Sequence, residues 1–111
     1  MKRKTIYIAG RIRGMSKHNY EAFHAAYKRL LEHGWHPIDP FDITNAFGVP
    51  PTEVESNPRL LRAVMDAELA AIPHLDAIYL LKGWERSEGA RAELAVALQH
   101  GLIVMVEGAD E

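Results

Sequence analysis

The sequence predicts a single α/β domain, a three-layer sandwich of the flavodoxin or Rossmann type built on a small parallel sheet. Two observations predict it. Short runs of β-branched and aromatic residues alternate with longer segments of helical period. The resulting order β-α-β-α-β-α-β, with short connections, implies right-handed crossovers and a sheet covered on both faces. The chain's 111 residues leave no room for a second domain, so residues 1–111 are read as one unit. A domain of this length buries roughly two-thirds of the surface its unfolded chain exposes, and it has little core to spare.

Thr5 to Ala9 is the first strand, and it stops at Gly10, which opens the turn Gly10-Arg11-Ile12-Arg13-Gly14. The first helix starts near Ser16 or Asn19, either an acceptable N-cap, and carries Phe23, Tyr27, Leu30 and Leu31 at helical spacing until Gly34 stops it. Trp35 to Ile38 is a short second strand. Asp39 to Ser56 holds Pro40, Pro50, Pro51 and Gly48 with no clean period, which predicts a long loop over the sheet, of the kind that serves as a lid or binding loop. Asn57-Pro58 is a strong helix start, an N-cap followed by proline at the first helical position, and Leu61, Val64, Met65, Leu69 and Ile72 follow on one face up to Pro73. Asp76 to Leu81 is apolar from Ala77 on, as a buried parallel strand requires. Lys82 to Ser87 leads into a helix from about Glu88 to His100, Gly101 caps it, and Leu102 to Val106 is the last strand.

Composition narrows the function classes. Charges of 13 basic and 15 acidic residues are scattered, apart from the basic start Met1 to Lys4 and the acidic end Glu107 to Glu111. That balance excludes a binder of nucleic-acid polymers, which needs a basic face, and leaves small anionic ligands open. With no cysteine there are neither disulfides nor thiolate metal sites. The apolar run Thr5 to Ala9 is too short for a secretory signal or a membrane span, so the expected location is the cytoplasm, with no membrane partner.

In an open parallel sheet ligands bind outside the carboxyl ends of the strands, and three segments land there: Gly10 to Gly14, the stretch from Asp39, and Lys82 to Glu93. In the last, Ser87 sits where an N-cap would, Gly89 lets a ligand approach the free backbone N–H groups of the first turn, and Glu93 lies just over one turn further in. Spacing alone equally allows Ser87 to be only a cap and Glu93 only a solvated helix residue. Arg11 and Arg13 present planar forks suited to phosphate, in a turn that is neither a P-loop nor a dinucleotide fingerprint, although arginines in turns are more often solvated. Asp66 is set among apolar neighbours, where a carboxylate can orient a sugar hydroxyl or supply a proton; by pattern alone an exposed helix aspartate is the commoner case. Trp84 flanks a binding-edge loop, where stacking on a base competes with a core or rim role. The six histidines show no metal spacing, so neither a metal nor another cofactor is expected.

Together these residues resemble the nucleoside 2-deoxyribosyltransferase superfamily, which includes the 2′-deoxynucleoside 5′-monophosphate N-glycosidases. The likeness is carried by Ile6-Tyr-Ile-Ala-Gly10, then Asp66, then Ser87-x-Gly89-x-x-x-Glu93 with Ala97 and Gly101 after it, and covers nearly the whole chain. It is greatest to a small family of phage and bacterial proteins related to these enzymes, through Asn19-Tyr-x-x-Phe23 and Asp76-Ala-Ile-Tyr-Leu-Leu-x-Gly-Trp84-Glu-x-Ser87-x-Gly-Ala90. The resemblance implies that Glu93 is a nucleophile forming a glycosyl-enzyme intermediate, that Tyr7 positions it, and that Asp66 acts on the sugar or base. In the nucleotide-cleaving branch, a Gly-x-Ile-Arg-Gly turn and the helix-cap serine hold the 5′-phosphate, which here are Gly10 to Gly14 and Ser87. Two positions depart. Arg11 stands where the nucleotide hydrolases have serine and the transferases proline, and Ser87 where transferases of free nucleosides carry an aspartate. The resemblance also implies a homo-oligomer, a dimer or higher, in which a neighbouring subunit completes each site. The expected function is cleavage or transfer at the N-glycosidic bond of a deoxynucleoside monophosphate or a relative, and the alternative is a non-catalytic nucleotide-binding sensor or sequestering protein.

Overall fold

The computed structural model describes residues 2–109, so Met1 of the basic start and Asp110 and Glu111 of the acidic end lie outside the described residues. Four parallel strands form one sheet: β1 (Thr5–Ala9), β2 (His36–Ile38), β3 (Ala77–Leu80) and β4 (Ile103–Val106), in the spatial order β2-β1-β3-β4. β1 has the bounds read from the sequence, and the other three strands are slightly shorter than their runs. Five α-helices accompany them: α1 (Tyr20–Glu32), α2 (Pro40–Ala46), α3 (Pro51–Ser56), α4 (Pro58–Ala71) and α5 (Glu88–Gln99). This is the expected three-layer α/β sandwich with an all-parallel sheet.

Alternation along the strands divides the core in two. Ile6 and Ile8 of β1, with Ala77 and Tyr79 of β3, face α1 and meet its buried stripe of Phe23, Ala26 and Leu30. Tyr7 and Ala9, with Ile78 and Leu80, face the other way and meet Ile72, just beyond α4, and Ala90 and Ala97 of α5. Chain direction therefore diverges at β1 and β3, the two central strands, where α1 leaves toward one face and α5 toward the other. A crevice opens at their carboxyl ends.

Two expectations need correction. The first helix is not capped by the side chain of Ser16 or Asn19. A short 3₁₀ segment, Ser16–Asn19, precedes α1, and Lys17, His18 and Asn19 all have positive φ, 50°, 58° and 59°. Asn19 instead donates its side-chain N–H to the carbonyl of Arg11 at 3.0 Å, tying the helix entrance to the turn after β1.

The expected loop from Asp39 to Ser56 is largely helical. Each helix there starts on a proline: Asp39 and Asp42 form a reciprocal capping box around Pro40, and Pro51 is the first residue of α3. Proline lacks the N–H that the first helical position cannot use and brings the right φ, so prolines that hide periodicity serve here as helix starts. The start of α4 is as expected, with the Asn57 side chain accepting from the N–H groups of Arg59 and Leu60 at 3.2 Å each.

Candidate active site

The crevice is a cleft of about 570 Å³. Its first rim is the turn Gly10, Arg11, Ile12, Arg13 and Gly14, all of which line it. Gly10 is required for close approach rather than for unusual dihedrals. A Cβ there would lie 2.8 Å from Leu81 Cδ1 and 3.0 Å from Leu81 Cβ. Gly14 does have positive φ, 77°, and turns the chain toward the 3₁₀ segment.

The second rim is the start of α5. Ser87 caps it, its Oγ accepting from the Ala90 N–H at 3.1 Å, and Ser87, Glu88, Gly89 and Ala90 line the cleft beside Arg86. Arg11, Arg13, His18 and Arg86 thus share one opening with the N-terminus of a twelve-residue helix, whose dipole and free N–H groups also favour an anion.

A carboxyl pair forms the floor. Glu93 is 4% exposed, between Ala90 and Ala97 on the buried stripe of α5, and Tyr7 of β1 donates its hydroxyl to Glu93 Oε2 at 2.6 Å. The partner carboxyl is Glu68 of α4, 9% exposed and hydrogen-bonded to Glu93. Burial pushes Glu68 up to about 7. Burial first, and then repulsion by Glu68, push Glu93 well above the ordinary carboxylate range, while the bond from Tyr7 acts the other way. Tyr7 itself is raised by burial and by Glu93, so its phenol stays protonated and remains a donor. Two buried carboxyls in contact cannot both ionise cheaply and hold one proton between them near neutral pH. The Tyr7 hydroxyl favours charge on Glu93, but the Glu68–Glu93 bond lowers Glu68 and raises Glu93, so in the empty cleft the shared proton rests on Glu93.

The third wall comes from α2, α3 and α4. Pro40, Phe41 and Thr44 contribute from the first, Pro51, Val54 and Glu55 from the second, and Leu61, Val64 and Met65 from the third. His18 reaches across the mouth to Glu55, Nε2 to Oε2 3.3 Å.

Of the sequence-derived candidates, Tyr7, Gly10, Arg11, Ile12, Arg13, Gly14, Ser87, Gly89 and Glu93 come together around this cleft. Two do not. Asp66 is exposed on α4 and turned away from the cleft, and Glu68, two residues further on, takes the place beside Glu93. Trp84 is half-buried and packs against the core on the α5 face, so it does not line the cleft. The spacing of Glu68 carried the missing signal: it lies four residues after Val64 and four before Ile72, on the buried face of the helix, which Asp66 does not share. No such signal marks His18, Arg86 or the third wall. Among the described residues no group of three or more His, Asp or Glu side chains could hold a metal ion, and no helix is long and apolar enough to cross a membrane.

Fold and site define a parallel α/β domain with a buried acid pair under a cationic rim. The chain belongs to the family described as Domain of unknown function (DUF4406), whose profile matches residues 4–106 and so takes in every strand and helix of the fold. No curated protein matches the chain.

Proposed function

We propose that this protein cleaves or transfers at the N-glycosidic bond of a deoxynucleoside 5′-monophosphate or a related nucleoside, the chemistry of the nucleoside 2-deoxyribosyltransferase superfamily it resembles. The observation that carries the reading is the buried Glu68–Glu93 pair, with Tyr7 bonded to Glu93, beneath a rim of arginines and helix N–H groups. A monophosphate fits the rim through Arg13 and the Ser87 helix start, its sugar over Glu93.

Once the pair's proton has passed to Glu68, Glu93, ionised and held by Tyr7, attacks C1′. The C1′–N bond breaks as the C1′–O bond to Glu93 forms, and Glu68 delivers its proton to the departing base. Glu68, now a carboxylate, takes a proton from a water or an acceptor base, which attacks C1′ and breaks the ester. Glu93 regains its charge and Glu68 its proton. Glu68 thus takes the acid–base part first expected of Asp66. The reading includes a cytoplasmic homo-oligomer whose partner is a small nucleotide, with no cofactor.

The test is chromatography of the products from a mixed deoxynucleotide panel, with and without an added acceptor base. Wild-type protein is expected to release free base, and Glu93→Ala to slow release at least about a thousandfold while still binding nucleotide. Tight binding with no base released from any canonical or modified deoxynucleotide would replace this reading by a nucleotide sensor.

A further inference from the structure

The mouth of the cleft is bridged by a pair of side chains that the proposed chemistry leaves unused. His18 belongs to the 3₁₀ segment behind the arginine turn and Glu55 to α3 on the opposite wall; both line the cleft, and Nε2 lies 3.3 Å from Oε2. Their side chains are 23% and 34% exposed, so an incoming ligand reaches the bridge. The other charged groups of the opening are Arg11, Arg13, Arg86 and Glu88, above the Glu68–Glu93 floor.

Both ends of the bridge sit on lightly anchored segments. Ser16–Asn19 buries no residue, and Lys17, His18 and Asn19 hold left-handed backbone in succession. Non-glycine residues visit that region singly, so a run of three persists only where contacts hold it. Asn19 ties this run to the Arg11 carbonyl, and His18 ties it to α3. α3 has six residues, too few for a helix to be stable by itself, and Val54 is its one buried residue. It follows Gly48, whose φ of 75° and open surroundings leave the chain room to pivot.

We propose, resting on the reading that a phosphate enters at the rim, that His18 and Glu55 form a latch. In the free protein it holds α3 across the mouth, and an incoming phosphate opens it by replacing Glu55 as the partner of His18. A phosphate monoester brings nearly two charges and three acceptor oxygens, which the protonated imidazole and the arginines of the rim share, whereas Glu55 brings a single charge to His18 alone. Once displaced, the Glu55 carboxylate is repelled by the phosphate and moves off with α3. The wall that closes the free cleft thus yields to an anion, and an uncharged nucleoside makes no such exchange.

The test is amide hydrogen exchange across residues 49–57 in wild type, Glu55→Gln, His18→Gln and the double variant, each alone, with inorganic phosphate, and with chloride at the same ionic strength. Either single substitution is expected to raise exchange of this segment about threefold, the scale of a partly exposed ion pair, and the double to add nothing further. Phosphate is expected to raise it in wild type beyond the chloride control and to leave the variants at that control. In titration Glu55→Gln is expected to bind inorganic phosphate about threefold more tightly than wild type, and His18→Gln more weakly. Exchange unchanged by both substitutions overturns the latch, and so does wild-type exchange that phosphate leaves at the chloride level. Weaker phosphate binding by Glu55→Gln also overturns it, since Glu55 then supports His18 instead of competing for it. The expected pattern in a protein that releases no base upholds the latch and overturns only the catalytic reading, and base release without that pattern overturns only the latch.

Discussion

Glu68 sets a cost that the fold carries for its site. Its ordinary value of 4.5 is raised to about 7 in the folded chain, so between these limits the native state holds a proton that the unfolded state has lost. The Glu68 contribution is therefore fully present below about pH 4.5, fades as pH rises toward 7 and is gone above, while Glu93, raised further, carries the decline to higher pH. Glu68→Gln removes the Glu68 part of this dependence and leaves the part that burial of Glu93 causes. It is expected to be more stable than wild type at pH 8, by on the order of 2–3 kcal/mol, with the gap closing at pH 4.5, as read by urea denaturation at both values. At the rim, Arg13 is exposed and lines the cleft, and in the proposed function its charge meets the phosphate. Arg13→Ala is expected to weaken monophosphates by roughly tenfold or more and free nucleosides hardly at all, and equal losses in titration would remove Arg13 from a phosphate site. Glu93 was legible as a candidate from its spacing after the Ser87 helix start, and its role, like that of Tyr7, only from the superfamily resemblance. Glu68 was legible only through helical period, and Asp66, two residues before it, drew the eye because carboxylates among apolar neighbours look alike until the helix face is drawn.

Helices that begin on proline explain what the sequence concealed. In α2 and α3 a run of only seven and six residues gives too few turns for a period to show, and four breakers within eighteen positions look like a loop. The signals that survive are local: Asp39 and Asp42 three apart around Pro40, each accepting from the other's N–H, 2.9 Å and 3.0 Å. The longer elements were readable because α1, α4 and the strands each repeat their pattern often enough. The joint between β1 and the cleft is tighter than its sequence suggests. Gly10→Ala puts a Cβ against Leu81, whose own Cβ cannot swing aside, and is expected to destabilise the protein by about 1–3 kcal/mol in thermal denaturation while displacing the arginine turn.

The sheet order β2-β1-β3-β4 puts β4 at an edge, and there Ile103 is 47% exposed while Leu98, at the end of the neighbouring helix, is 61% exposed. Apolar surface on an unpaired edge supports the homo-oligomer of the proposed function. Leu98→Glu is expected to shift sedimentation toward the monomer, and an unchanged boundary would place any assembly elsewhere. The overall sandwich was the most legible property, since alternating strand and helix runs admit few topologies. The mutual placement of three distant carboxyl and phenol groups was not, because it depends on how far each helix is rotated on the sheet. Tyr7 and Glu93 are 86 residues apart, joined only through the stacking of β1, β3 and α5. Glu93 is therefore the last of the three groups to leave the ribosome, and the floor of the cleft is complete only when α5 packs against β1 and β3.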